Sequence, residues 1–234
     1  MLSFLNRIFV RLQRWMQGIP GGPAHLYDKI VTKYLEPSYG YVVKEIEGKA
    51  SKNLTIVEVG CGAGKLLFEI TNRVKPKDVL GLDISHAMAR ISKRNLIKNG
   101  MYPYVNLVLA DAHEMPIKEG CFDLVVSTGT LHHIKKPAEF FKECSRILKK
   151  SGEAWIYEFS HDAECEESSK TLKRPCFLLK TLAALHGLPR STFERGYIKE
   201  ALENSRCKNM IRYNGVITKL ILYKNDLSNG NALR

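Results

Sequence analysis

The sequence predicts an α/β fold: a doubly wound, mostly parallel sheet of seven strands closed by a C-terminal antiparallel hairpin. Three observations carry this. Short runs rich in Val, Ile and Leu alternate with helical stretches from Leu54 to Phe159, the pattern of parallel strands joined by crossover helices. The first run breaks into closely spaced glycines at Gly60, Gly62 and Gly64. Near the C-terminus, Asn214-Gly215 separates two further strand-like runs, the signal of a hairpin turn.

The glycine break carries the most chemistry. Leu54, Ile56, Val57 and Val59 form a buried strand, and Lys65-Leu66-Leu67-Phe68-Glu69-Ile70 begins a helix. Such a turn leaves unpaired backbone N–H groups at the carboxyl edge of a sheet, where an anionic or polar ligand end can dock. Glycine suits it because a Cβ would keep the backbone from closing on the ligand. A P-loop needs four residues between its glycines and a Lys followed by Ser or Thr; Gly60 and Gly64 stand too close, and Leu66 follows Lys65. A dinucleotide fingerprint needs its third glycine where Lys65 stands. The G-x-G-x-G form, with Glu58 two residues before Gly60, instead resembles motif I of the class I S-adenosylmethionine-dependent methyltransferases. The resemblance implies a Rossmann-like methyltransferase fold, S-adenosyl-L-methionine as cofactor, and cofactor contacts from Glu58, Gly60, Cys61, Gly62 and Gly64.

Composition sets the frame. The 234 residues, 44% hydrophobic, suit one α/β domain with a modest addition. No apolar run reaches the roughly 18 residues a membrane span needs, and no signal-peptide pattern opens the chain. Six cysteines without any C-x-x-C are expected to be reduced, mostly buried thiols in a cytoplasmic protein, not disulfides or zinc ligands. A net charge of +12 suits nucleic acid or anionic lipid, although dispersed basic residues are commonly just a solvated surface.

In chain order, residues 1–17 place Phe4, Leu5, Ile8, Leu12 and Trp15 at helical spacing with Arg7, Arg11 and Arg14 opposite. A basic amphipathic helix of this kind packs on its own domain, makes peripheral membrane contact, or meets a protein partner; packing is the commonest use. Gly18 to Pro23 reads as a hinge, and residues 24–50 as two helices interrupted at Glu36-Pro37. Residues 1–50 are thus expected to be a helical cover segment, with Tyr27 and Tyr34 as lid or packing residues.

Residues 51–160 are the expected cofactor-binding core. A helix over 65–75 ends at Pro76, and the strand Val79-Leu80-Gly81-Leu82-Asp83 finishes on a carboxylate. At a second-strand tip a carboxylate can accept both hydrogens of a ribose diol. Gly81 to Ser85 resembles the family's second motif, which implies Asp83 on the ribose and Ile84 against the adenine. Asp83 can equally cap the helix over 86–99. The strand Val105–Leu109 leads into Ala110-Asp111-Ala112, similar to the family's adenine-reading corner; the resemblance implies that Asp111 accepts from the adenine amino group and the Ala112 N–H donates to the ring.

The fourth strand, Phe122 to Gly129, is followed by Leu131-His132-His133-Ile134. FDLVVS and LHHI resemble the small-molecule, ubiquinone-biosynthesis-like branch of the family, and Ser127 at the tip is expected beside the reactive end of the cofactor. No Asn/Asp-Pro-Pro-aromatic tetrad of amino-methylating DNA enzymes occurs there, and the lone Pro-Cys, Pro175-Cys176, lies too far downstream for an RNA cytosine nucleophile. His132 and His133 are adjacent, about 100° apart on a helix, so they cannot share a metal; none is expected. Either is a candidate general base, against a structural histidine at a helix start.

A helix over 137–148, a turn at 149–153 and a fifth strand over 154–159 complete the core. His161 and Glu158, at the fifth tip, are further candidates for acceptor contact. Residues 161–191 read as an inserted lid containing an apolar helix over 176–185, and 192–225 as a helix and hairpin completing the sheet. The expected activity is in-line methyl transfer to a small-molecule or lipid-like acceptor, which needs alignment and exclusion of water more than a triad or metal. RNA or protein acceptors, a cofactor-binding regulatory module without transfer, and a nicotinamide oxidoreductase stand as alternatives. The oligomeric state is left open.

Overall fold

The computed structural model describes residues 38–49 and 53–224. The amphipathic stretch 1–17, Tyr27, Tyr34 and the polar tail lie outside the described residues. Residues 38–47 are helical (α1). There follow β1 (Thr55–Val59), α2 (Lys65–Glu69), β2 (Asp78–Asp83), α3 (His86–Lys98), β3 (Val105–Leu109), β4 (Phe122–Thr128), α4 (Pro137–Ile147) and β5 (Leu148–Phe159). Then come α5 (Glu166–Leu172), α6 (Cys176–Leu185), α7 (Arg190–Arg195), α8 (Tyr197–Ser205), β6 (Asn209–Asn214) and β7 (Ile217–Tyr223).

The strands form one seven-stranded sheet in the order β3-β2-β1-β4-β5-β7-β6. β1 to β5 run parallel, while β7 pairs antiparallel with β5 and with β6. The chain order reverses between β1 and β4, so the space beyond their carboxyl ends is the switch point where such sheets take ligands.

Period-two alternation divides the core into two layers. Val57, Val59, Val125 and Ile156 pack with Phe140, Phe141, Cys144 and Ile147 of α4 and with Ile198 and Leu202 of α8. Their strand neighbours Ile56, Leu124, Val126 and Trp155 pack on the other face with Val43 and Ile46 of α1 and Leu66, Leu67 and Ile70. Both faces of the inner strands are therefore covered, which is why those strands read as unbroken apolar runs. Among the described residues no helix is long and apolar enough to cross a membrane.

Helix α1 is clamped to the sheet by polar groups as well. Glu45 accepts from the Tyr157 hydroxyl at 2.6 Å and from Lys219 at 3.1 Å, and the Lys219 ammonium sits 3.4 Å from the Trp155 ring centroid.

Four elements differ from expectation. The helix after β1 keeps α geometry only to Glu69, passes through a π turn over Ile70–Val74 and stops at Lys75, whose φ of 52° is left-handed; Pro76 forbids a further turn. Residues 149–153 are not a turn but part of β5, with a register shift because more residues of β5 than of β4 lie between the paired sites Phe122–Leu148 and Leu124–Glu153. The helix expected to open the 192–225 segment begins earlier, at Arg190, and is broken at Gly196, whose extended backbone (φ −114°, ψ −165°) separates α7 from α8.

The fourth is a correction to the cysteine chemistry. Cys165 and Cys176 form a disulfide, so the six cysteines are not all reduced thiols; Cys61, Cys121, Cys144 and Cys207 are free. The sequence separation of 11 hides the contact. One short helix and a left-handed reversal at Lys173 (φ 49°) bring the two Cα atoms to 5.5 Å, within bridging range.

Candidate functional site

A cleft lies beyond the carboxyl ends of β1, β2, β3 and β4 and encloses about 940 Å³ of space, its open mouth included. Its floor is the glycine turn. Gly60, Gly62 and Gly64 take φ of 77°, 50° and 76°, left-handed values that side chains rarely adopt. A Cβ on Gly60 would also strike the Thr130 side chain, and one on Gly64 would strike Ser92.

The turn's amides behave differently from the sequence expectation of free donors. Gly60 and Cys61 both donate to the Leu82 carbonyl, at 2.7 and 3.0 Å, and Gly64 donates to Cys61 at 2.9 Å. The Gly62 N–H donates to Asp83 Oδ2 at 2.8 Å. These four donors are already satisfied within the protein. Acidic groups face the cleft instead. Glu58 is 2% exposed and its Oε2 has no hydrogen-bond partner among the described residues. Burial, then the neighbouring Asp83, pushes its carboxyl well above the usual carboxylate range.

Asp83 ends β2 with its side chain 8% exposed. Its two oxygens accept from the Gly62 and Ser85 amides, both at 2.8 Å, so it organises the turn while Ser85 caps α3 through Met88 N. Burial pushes its carboxyl up, and those amide bonds pull it partly back. Ile84 beside it is 39% exposed at the cleft edge.

At the third tip, Asp111 accepts from the His113 backbone N–H at 2.9 Å and lies 2.5 Å from His113 Nδ1. His113 Nε2 accepts from the Lys136 N–H, which assigns the ring proton to Nδ1 as the donor to Asp111. Partial burial pushes Asp111 up, but the hydrogen bonds from His113, with the Lys135 charge, outweigh it and hold the carboxyl below its usual value.

The fourth tip supplies Thr128, Gly129, Thr130, His133 and Ile134 to the cleft wall. Ser127 is not on that wall: it is fully buried, and its hydroxyl donates to the Val59 carbonyl at 2.9 Å, tying β4 to β1. Gly64 likewise lies under the turn and not on the cleft surface. Cys61 and Ala112 do line it, as do Glu58, Gly60, Gly62, Asp83, Ile84 and Asp111.

The candidate histidines separate. His133 reaches the cleft; His132 is 1% exposed behind it, its Nδ1 at 3.2 and 3.1 Å from the two oxygens of Glu158. His161 lies outside the cleft, and Glu158, at 1% exposure, is internal. Sequence reasoning passed over Tyr39 of α1, Thr130 and His113, all of which line the cleft. His113 could have been found from its place two residues after Asp111, where a side chain can fold back on the carboxylate. Tyr39 had no such signal, because only packing brings α1 there.

Residues 57–156 match the methyltransferase domain family. A malonyl-[acyl-carrier protein] O-methyltransferase of Geobacter sulfurreducens is 30% identical over 140 residues, 60% of this chain and 48% of that protein. A ubiquinone/menaquinone biosynthesis C-methyltransferase of Bartonella bacilliformis is 28% identical over 107 residues, 45% of this chain and 41% of that one. The chain thus spans less than half the length of either relative. In fold, a Methanococcus maripaludis protein assigned as an S-adenosyl-L-methionine-dependent methyltransferase superposes with a TM-score of 0.73 at 20% identity, over 91% of this chain and 97% of its own. Sequence match and architecture agree: residues 57–156 match a methyltransferase domain, set in a fold shared with S-adenosyl-L-methionine-dependent methyltransferases.

Proposed function

We propose that the protein transfers the methyl group of S-adenosyl-L-methionine to a small-molecule or lipid-like acceptor. The observation that carries the reading is that the turn presents carboxyl acceptors to the cleft while its amides at Gly60, Cys61, Gly62 and Gly64 are already bonded. With Gly60, Cys61, Gly62 and Gly64 amides internally bonded and two buried carboxyls facing the space, the cleft disfavours a phosphate and favours a cationic ligand. S-adenosyl-L-methionine is cationic at its sulfonium and amino groups, and the unpartnered Glu58 Oε2 fits such a group. The same arrangement argues against a pyrophosphate-bearing nicotinamide cofactor.

In this reading Glu58 and the turn at Gly60, Cys61 and Gly62 hold the methionine end, with Gly64 supporting the turn from below. Asp83 holds the ribose diol, Ile84 lies along the adenine, and Asp111 with the Ala112 N–H reads its edge. Ser127 positions the fourth tip through Val59. When bound, the cofactor supplies an electrophilic methyl group. The protein's part is to align the acceptor from the wall formed by Tyr39, Thr130, His133 and Ile134 and to exclude water. His133 takes a proton where the acceptor needs to lose one; His132 and His161 do not touch the cleft and have no such role.

The inserted segment 161–191 and the cover segment 1–50 are proposed to shape the acceptor site around the 51–160 core, with 192–225 completing the sheet. Peripheral membrane contact through residues 1–17 is compatible with a lipid-like acceptor. The four free cysteines favour a cytoplasmic location, and the Cys165–Cys176 bridge is the exception to that pattern.

Methyl-labelled cofactor incubated with protein and fractionated cell extract tests the reading: label is expected in an organic-soluble or small-metabolite fraction. Label in RNA or protein would support the runner-up, which rests on the net charge of +12, and RNA binding would then fall steeply with salt. Tight cofactor binding with no label in any fraction would support a regulatory module.

A further inference from the structure

Asp111, at the third strand tip, is a half-open carboxylate that the fold holds by one oxygen. Its side chain is 44% exposed, and it accepts from the His113 main-chain N–H at 2.9 Å and from His113 Nδ1 at 2.5 Å, both on Oδ1. Neither bond takes Oδ2. The imidazole that fixes it is 12% exposed and is held from its other side, where Nε2 accepts from the Lys136 N–H at 3.2 Å. An accepting Nε2 leaves the ring proton on Nδ1, so the ring is a donor to Asp111.

The far anchor is rigid. Lys136 caps α4, its carbonyl accepts from the Glu139 and Phe140 amides, and Phe140 and Phe141 of that helix are fully buried. The imidazole is thus a strut between the tip of β3 and the start of α4.

His113 is not needed to hold the segment that follows β3. Glu143 of α4 accepts from the Met115 N–H at 2.8 Å, and Arg146 donates to the Ile117 and Met115 carbonyls at 2.7 and 3.0 Å. Those bonds fasten the segment to α4 by themselves. What they do not explain is the bond from Nδ1 to a carboxylate that lines the cleft. A side chain this exposed ordinarily samples several rotamers; the strut leaves Asp111 one. Partial burial pushes its carboxyl up, and the His113 bonds, with the Lys135 charge, bring it below its ordinary value. Asp111 is therefore an acceptor with no proton to give.

We propose that His113 is a positioning residue that sets cofactor specificity: by pinning Asp111 through Oδ1 it leaves Oδ2 as an acceptor-only group for the cleft, which selects the exocyclic amino group of adenine over a carbonyl at the same ring position. This rests on the reading above in which Asp111 and the Ala112 N–H meet the adenine edge. Hypoxanthine reverses both facing groups, since its six-position carries a carbonyl oxygen and its N1 a proton. Oxygen would then meet the carboxylate, and N1–H would meet the Ala112 N–H. A carboxyl free to turn or to take up a proton rejects that ligand less strongly.

Calorimetric titration with S-adenosyl-L-homocysteine and with its inosine counterpart, S-inosyl-L-homocysteine, tests this. The quantity read is the ratio of the two affinities, because a variant that merely loosens the fold weakens both alike. The parent protein is expected to prefer the adenine ligand by about a hundredfold or more. His113→Gln keeps an acceptor for Lys136 but removes the donor to Asp111, and is expected to cut that preference about tenfold. His113→Asn sets an amide N–H where Nδ1 stands and is expected to restore most of it. A preference unchanged in His113→Gln, or lost equally in both variants, overturns the proposal. Asp111→Asn checks the underlying reading: its amide can turn either oxygen or N–H to the ring, so the preference should fall. If it does not, or if the parent binds neither ligand, adenine recognition at Asp111 fails and this proposal with it. A loss in Asp111→Asn with none in His113→Gln refutes the role of His113 alone.

Discussion

Asp83→Asn is the most informative single change, because one carboxylate is given two jobs that the variant separates. In the protein its oxygens accept from Gly62 N–H and Ser85 N–H, both at 2.8 Å. Asparagine keeps the shape but has one accepting oxygen, so its NH2 must face one of those amides. An orphaned buried donor costs about 1–3 kcal/mol. Against that, burial raises the Asp83 carboxyl, so the ionised group is held in the fold at a penalty. The sign matters: a carboxyl with a raised folded-state pKa contributes stability at low pH and loses it as pH rises through that pKa. At neutral pH the neutral amide relieves this penalty, and the net loss of stability should stay below about 2 kcal/mol, a fall in Tm of roughly 4–8 °C. Affinity should change far more. A ribose diol donating to a carboxylate is worth about 1.5–3 kcal/mol, so Kd for S-adenosyl-L-methionine should rise about ten- to hundredfold. Calorimetric titration and thermal melting of the same samples read the two effects. A folded variant binding within threefold of the parent would refute the ribose assignment.

Three further outcomes are expected. Gly60→Ala combines a φ of 77° with a collision against Thr130, so it should lose about 1–3 kcal/mol in denaturant melts and bind cofactor poorly; retention of both would mean the turn is not closed as described. Glu58 must ionise to attract a cation, and its carboxyl is pushed up by burial and Asp83, so cofactor affinity should strengthen as pH rises through that raised value and weaken below it. Glu58→Gln should flatten the pH dependence in calorimetry and cost about tenfold in affinity at the alkaline end. Cys165→Ser opens a loop set by a separation of 11 residues, which should lower stability by about 2–3 kcal/mol under oxidising conditions. The same variant should match the parent once a reductant is present, and mass spectrometry of alkylated protein checks the bridge itself.

The strands and most of the residues lining the cleft were legible because they depend on local pattern. The runs at Ile56–Val59, Val79–Leu82 and Leu124–Val126 are buried on both faces, so their residue types alone mark them as inner parallel strands. Asp83 and Asp111 are at strand tips whichever helix follows. What was hidden depends on contacts between distant segments. Ser127 stands at the fourth tip as expected, yet the neighbouring strand takes its hydroxyl through Val59. The turn amides at Gly60 and Cys61 are accepted by Leu82 in another strand, and no reading of the turn alone reveals that. The Cys165–Cys176 bridge needs the reversal at Lys173, and Tyr39 needs the docking of α1. The pairing of His132 with Glu158 joins residues 26 apart in sequence; adjacency of His132 and His133 suggested equivalent roles, whereas one ring turns inward and the other to the cleft.

Ser160 has a consequence for how this architecture could be varied. Its N–H reaches Val216 at 2.7 Å, and its hydroxyl meets both Leu188 and Thr218, at 2.8 and 2.9 Å. One small residue therefore knots the insertion's exit to the C-terminal hairpin. A chimera that transplants a foreign loop between Ala163 and Leu185 can leave this knot tied, whereas a graft whose seam falls on Gly187 or Leu188 would unfasten the outer strands along with the lid.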